Sequence, residues 1–171
     1  MGLDSGTHTG YAVLDQSGQK LQLGAQDFSK LPRFERWAQM RDWMVAILAM
    51  WKPRLVVIEG YGFGNVNSLA TLVEYGTIYR QVLLDHAINF IEVPPTSIKA
   101  FITKGGAKKD EMRLAAYKKW GIEHSSNDAV DAYVMAQFGR AVLGVEKITV
   151  EQLKTLHKVA GVKFLMAAAQ S

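Results

Sequence analysis

Apolar and polar residues alternate with a period of two in "YAVLD" (11–15) and again in "KLQLGAQDF" (20–28), with the polar stretch "QSGQ" between the runs. Successive side chains of a strand face opposite ways, so the alternation predicts two strands of an antiparallel meander. The period then lengthens. Phe34, Trp37, Met44, Val45 and Leu48 recur at helical spacing between Arg33 and Trp51, and Pro53, which has no N–H to offer, stops that helix. "LVVIE" (55–59) is a continuous apolar run closed by an acid, the pattern of an interior strand covered on both faces. Leu69, Leu72, Val73, Gly76, Tyr79 and Leu83 mark a second long helix, and "INFIEV" (88–93) a further strand closed by Pro94 and Pro95.

The segment "TSIKAFITKGGAKKDEMRLAAYKKWG" (96–121) reads as a short helix, a break at Gly105 and Gly106, and a helix ended by Gly121. "SSNDAVDAYVMAQFGRAVLG" (125–144) opens on capping residues and continues as a helix through Ala129, Ala132, Tyr133, Ala136 and Val142. Thr149 and Gln152 have the spacing of a capping box, ahead of an apolar edge at Leu153, Leu156 and Val159. A meander followed by alternating helix and strand predicts an α/β fold, a mixed sheet with helices on its faces. With 171 residues, 49% of them apolar, the chain is large enough for one domain with its own core. A soft boundary near Gly144 divides a body at 1–144 from a helical extension at 145–171, expected to pack on that body rather than to contact DNA through Lys154, Lys158 and Lys163 or to extend a dimer contact.

Composition changes this picture in two ways. No cysteine is present, which excludes disulfides and thiolate metal sites and fits a reducing compartment; with no basic, apolar leader visible, the cytoplasm is the expected location, and no membrane is a partner. The net charge of +4 is modest but unevenly placed. Between Lys99 and Lys119 stand seven basic residues (Lys99, Lys104, Lys108, Lys109, Arg113, Lys118, Lys119) against two acids, Asp110 and Glu111. Such a patch fits a polyanion, although taken alone a solvated helix face is the better explanation.

Four acids stand at element edges beside small or apolar residues: Asp4, Glu59, Asp128 and Asp131. The spacing of three in "NDAVDAYVMA" sets Asp128 and Asp131 one turn apart on the same side of a helix. Asp4 and Glu59 belong to strands that neighbouring positions in a sheet would bring together. Each acid has an ordinary explanation, since the first turn of a helix favours acids and a strand end returns to water. Their conjunction is harder to explain that way, because clustered carboxylates repel unless a cation joins them. Oxygen donors without Cys or His favour magnesium or manganese, and a pair of such ions activates water and stabilises the leaving oxygen of a phosphodiester.

The stretches "GLDSGTHTGYAV" (2–13), "LVVIEGYGFG" (55–64), "PPTSIKAFITKGGAKKDEMR" (94–113) and "NDAVDAYVMA" (127–136) together resemble the RuvC-type Holliday-junction resolvases, within the ribonuclease-H-like nucleases. The resemblance implies a mixed five-stranded sheet with helices on both faces. It also implies a homodimeric, Mg2+-dependent endonuclease that nicks a four-way DNA junction symmetrically, with two ions per site and Mn2+ as a substitute. By position, Asp4, Glu59, Asp128 and Asp131 resemble the family's metal ligands, and Lys99 and Lys109 its catalytic-site lysines, with Lys108 as the adjacent alternative to Lys109. Tyr61 and Phe63 flank the place of the family's junction-stacking aromatic, and Lys104, Lys108 and Arg113 are the further DNA-contact candidates. The helix around Gly76 is the expected dimer surface, with that glycine permitting close approach. Competing readings are another ribonuclease-H-like nuclease acting on RNA–DNA hybrids or flaps, a branched-DNA-binding protein without catalysis, and an actin-like ATPase suggested by "DSGTHTG". For the last, the chain is short and the lysine-rich segment has no role.

Overall fold

A computed structural model describes residues 1–61, 66–103 and 106–159, apart from the side chains of 66–68. Phe63, Lys104, Lys163 and the rest of the tail beyond Val159 lie outside the described residues. Along the chain run β1 (Gly2–Asp4), β2 (His8–Leu14), β3 (Lys20–Asp27), α1 (Arg33–Trp51), β4 (Val56–Glu59), α2 (Val66–Asp85), β5 (Phe90–Val93), α3 (Pro95–Ile102), α4 (Lys109–Trp120), α5 (Asn127–Val142) and α6 (Val150–His157). The five strands form one sheet in the order β3-β2-β1-β4-β5. β1, β2 and β3 pair antiparallel, while β4 is parallel to both β1 and β5. This is the mixed sheet the patterning predicts, because a hairpin joins antiparallel neighbours and a helical crossover joins parallel ones.

Two apolar clusters fill the two faces, as the alternation of strand side chains requires. Leu3, Val13, Val56 and Ile58 pack with Met40, Met44 and Leu48 of α1 and Tyr79 and Leu83 of α2. Ala12, Val57, Ile91 and Val93 face the other way, against α3, α4, α5 and α6. Leu3 and Ile58 belong to the α1/α2 face, so the next residue along each strand, Asp4 and Glu59, turns to the face covered by α5.

α5 is buried on nearly every side from Ala129 to Val142. Its backbone lies directly on the sheet because the contact residues are small. A Cβ added at Gly2 would fall 2.0 Å from the Ala132 carbonyl oxygen, and one at Gly10 would fall 2.0 Å from that of Asp128. These approaches bring the first turn of α5 against the end of β1.

Smaller adjustments have local causes. α1 ends at Trp51 because Lys52 adopts the left-handed conformation that closes the helix, one residue ahead of Pro53. β5 begins at Phe90, since Ala87 at φ 51° and the turn around it consume Ile88 and Asn89. α6 carries the capping box at Thr149 and Gln152 and packs on α3: Leu156 is fully buried, and Gln152 donates from Nε2 to the Phe101 carbonyl at 2.8 Å.

One expectation is corrected. Gly76 does not leave a groove for a second subunit; it is buried, and a Cβ there would meet Arg80 Nη1 at 2.3 Å and the Tyr61 ring at 3.2 Å of the same chain. The glycine makes room for an internal contact.

Candidate active site

Asp4, Glu59, Asp128 and Asp131 come together around one open cavity of about 350 Å³, joined there by Lys99 and Lys109. Three kinds of local structure bring them in. Asp4 and Glu59 are the last residues of adjacent parallel strands, whose register pairs Leu3 with Ile58 and so sets the two acids side by side. Asp128 and Asp131 occupy the opening turns of α5, whose start is capped by the Ser126 hydroxyl accepting from the Ala129 N–H. Lys99 sits midway along α3, and Lys109 is the first residue of α4.

The electrostatics are those of crowded carboxylates. Asp4 is held well above the ordinary carboxylate range, first by loss of hydration and then by repulsion from Glu59, Asp131 and Asp128, with Lys109 opposing. Glu59 is raised by the same loss of hydration and by Asp131, against a hydrogen bond with Asp4 and the attraction of Lys109 and Lys99. Asp131 is raised by desolvation and by Asp128, again moderated by the two lysines. Lys109 Nζ lies 3.7 Å from Asp128 Oδ1.

The adjacent lysines separate clearly. Lys109 faces the acids, whereas Lys108 is an exposed residue just ahead of α4 whose backbone N–H donates to Glu111 Oε2 at 2.8 Å. Arg113 does not reach the cavity; it donates from Nη2 to the His124 carbonyl at 3.1 Å, tying α4 to the segment that leads into α5. Tyr61 is half-buried, with the Arg80 guanidinium 4.5 Å from its ring centroid. Sequence reasoning passed over His8, which lines the same cavity and pairs through Nε2 with Asp27 Oδ1 at 3.3 Å; its place within "DSGTH" was the available signal.

The donor set consists of hard oxygens of matching charge, which suits a divalent cation such as Mg2+ or Mn2+. As the side chains stand, no three Asp, Glu or His among the described residues are close enough to form a ligand group. The acids converge on a common space, where their loss of hydration and mutual repulsion favour bound positive charge.

A family model for the crossover junction endodeoxyribonuclease RuvC matches residues 1–139. The chain belongs to the RuvC family. Among curated RuvC proteins, that of Synechococcus sp. (strain WH7803) is 27% identical over 147 residues, covering 81% of this chain and 96% of the relative. The RuvC of Prochlorococcus marinus (strain MIT 9313) has the same identity and coverage. Among solved structures, T. thermophilus RuvC in complex with a Holliday junction substrate superposes with a TM-score of 0.69 at 21% identity, over 86% of this chain and 97% of that one. A second structure of Thermus thermophilus RuvC gives 0.65. The fold is thus the ribonuclease-H-like α/β architecture of RuvC, and RuvC enzymes are hydrolytic nucleases dependent on a divalent metal. The matched region stops before α6. No helix among the described residues is long and apolar enough to cross a membrane.

Proposed function

We propose that this chain resolves four-way DNA junctions by paired symmetric nicks, with Asp4, Glu59, Asp128 and Asp131 as ligands for two Mg2+ ions that Mn2+ can replace. The observation that carries the reading is the convergence of these acids, from β1, β4 and α5, on one cavity that also receives Lys99 and Lys109. Bound there, the ions supply an activated water and stabilise the leaving oxygen of the cut strand. The protein's own groups do the rest. Lys109 and Lys99 offset the negative charge that gathers on the scissile phosphate. Asp128, already paired with Lys109, holds that ammonium toward the acids while the phosphate approaches. The exposed Lys108 and His8 offer contacts to the flanking backbone, which position the duplex without reading its sequence.

Paired cuts need two sites related by a twofold axis, so the active form is a homodimer. α2 exposes Val73 and Leu84, which are 40% and 62% accessible, and this face is the proposed subunit contact.

The test compares a synthetic four-way junction, linear duplex and an RNA–DNA hybrid in one assay. Glu59→Gln and Asp128→Asn are expected to lose junction cleavage by more than about 100-fold while binding the junction as the parent does. Cleavage of the hybrid in preference to the junction would redirect the reading to another nuclease of this fold. Binding without metal-dependent cutting by the parent chain would make it a junction-binding protein, and undiminished cutting by both variants would remove these acids from the site.

A further inference from the structure

Arg80, on α2, has a side chain that is only 11% accessible. Burying a guanidinium is unfavourable unless its donors are met, yet Nη1 is buried and has no hydrogen-bond partner among the described residues. The other atoms of the group reach three separate points. Nε donates to Glu92 Oε1 of β5 at 2.5 Å, Nη2 donates to the Glu59 carbonyl at 3.3 Å, and Cζ stands 4.5 Å from the Tyr61 ring centroid. Gly76, one turn earlier on α2, keeps the space open for both Arg80 and Tyr61. From the other side, the Gly60 N–H donates to the Val93 carbonyl at 2.9 Å. The peptide that leaves Glu59 is therefore gripped at its carbonyl, at its amide and at the aromatic ring two residues on.

We propose that Arg80 is a positioning residue for Glu59: by bridging Glu92, the Glu59 carbonyl and the Tyr61 ring, it sets where the Glu59 carboxylate stands relative to the acids of α5. Tyr61 is then a strut of this clamp, with one ring face already occupied by Arg80. The inference rests on Glu59 being a metal ligand, as proposed above. Arginine suits the task where lysine does not, because its planar fork donates in two directions while its face lies on an aromatic ring. Groups that orient a metal ligand without touching the metal characteristically change metal affinity or activity by about 10–100-fold when removed.

The experiment uses the full chain and the variants Arg80→Met, Arg80→Lys, Glu92→Gln and Tyr61→Leu, with Glu59→Gln as reference. Three quantities are read: Mn2+ affinity of the DNA-free protein by calorimetry, the single-turnover cleavage constant on saturated junction, and junction affinity without metal. Arg80→Met is expected to weaken Mn2+ binding and slow cleavage by about tenfold or more, with junction affinity within about twofold of the parent. Arg80→Lys recovers only part of this, and Glu92→Gln and Tyr61→Leu each give a smaller loss of the same kind. Parental Mn2+ affinity and cleavage in Arg80→Met overturns the proposal, as does a loss confined to junction affinity, which would make Arg80 a DNA contact. Should Arg80→Met fail to fold, Glu92→Gln carries the test, and parental values there overturn it equally. If Glu59→Gln itself binds Mn2+ as the parent does, it is the ligand assignment that fails, a separate outcome.

Discussion

Gly10→Ala adds one methyl group 2.0 Å from the Asp128 carbonyl oxygen, 2.2 Å from its carbonyl carbon and 2.9 Å from the Ala129 nitrogen. All three are backbone atoms of the first turn of α5, so no side chain can rotate out of the way. Ordinary contact begins at 3.4 Å and real contacts below 3.0 Å essentially do not occur, which requires the helix start to retreat by roughly 1.0–1.4 Å, the difference from 2.0 Å. Gly10 pairs directly with Asp4 across β1 and β2, so the retreat widens the space between Asp4 and Asp128. Two effects on stability oppose each other. Restricting the unfolded chain favours alanine by about 0.4–1 kcal/mol, while forcing a methyl into a packed contact costs about 1–3 kcal/mol. The clash prevails, and the melting temperature is expected to fall by roughly 2–8 °C. The catalytic effect is larger, since a displacement of about 1 Å within a reacting arrangement costs on the order of 100-fold in rate. Single-turnover cleavage of a saturated four-way junction, with melting curves and junction affinity measured alongside, checks both. Gly24→Ala, whose methyl would meet the Tyr11 side chain first, at 3.2 Å, serves as control and should stay near the parent. Parental cleavage and melting in Gly10→Ala would refute the direct seating of α5 on β2.

Two further tests follow from the site and the extension. In metal-free buffer Glu59→Gln should raise the melting temperature, because it removes a carboxylate that is lifted by lost hydration and by Asp131 and that itself repels Asp4. A carboxyl raised in the folded protein binds its proton more tightly there than in the unfolded chain. The stability tied to that proton is complete below the ordinary carboxylate range and drains away as pH rises through the raised folded value. The advantage of the variant over the parent is therefore expected to be larger at about pH 8 than at about pH 5, and to vanish or reverse with saturating Mg2+. A pH-independent difference would deny the coupling. For the extension, Leu156→Ala should cost about 2–5 kcal/mol by denaturant unfolding, since that side chain is fully buried among residues of α3 and α5. Lys154→Ala and Lys158→Ala should leave junction affinity within about twofold, and a steep, salt-dependent loss would instead make α6 a DNA contact.

Local order was legible in the sequence because it depends on local chemistry. Strand alternation, helical spacing, the Thr149 capping box and the stop at Gly121 follow from residue type and period, and they placed the described elements other than the three-residue β1 to within a few residues. The four acids could also be singled out, since an acid ending an apolar strand, or two acids one turn apart, is visible without coordinates. Tertiary structure decided the rest. That Lys109 and not Lys108 faces the acids depends on where α4 begins and how it is rotated, and these depend on packing against α5. Arg113, one of seven similar basic residues in its segment, is spent on a backbone carbonyl that is eleven residues away in sequence. Gly10 and Gly76 look alike in one dimension, yet one admits a helix backbone and the other a guanidinium and a ring. The clamp formed by Arg80, Glu92 and Tyr61 joins residues from α2, β5 and the segment after β4, and no period or spacing records it. Periodicity reports which side of an element is covered; it carries no information about which atoms, brought from elsewhere in the chain, do the covering.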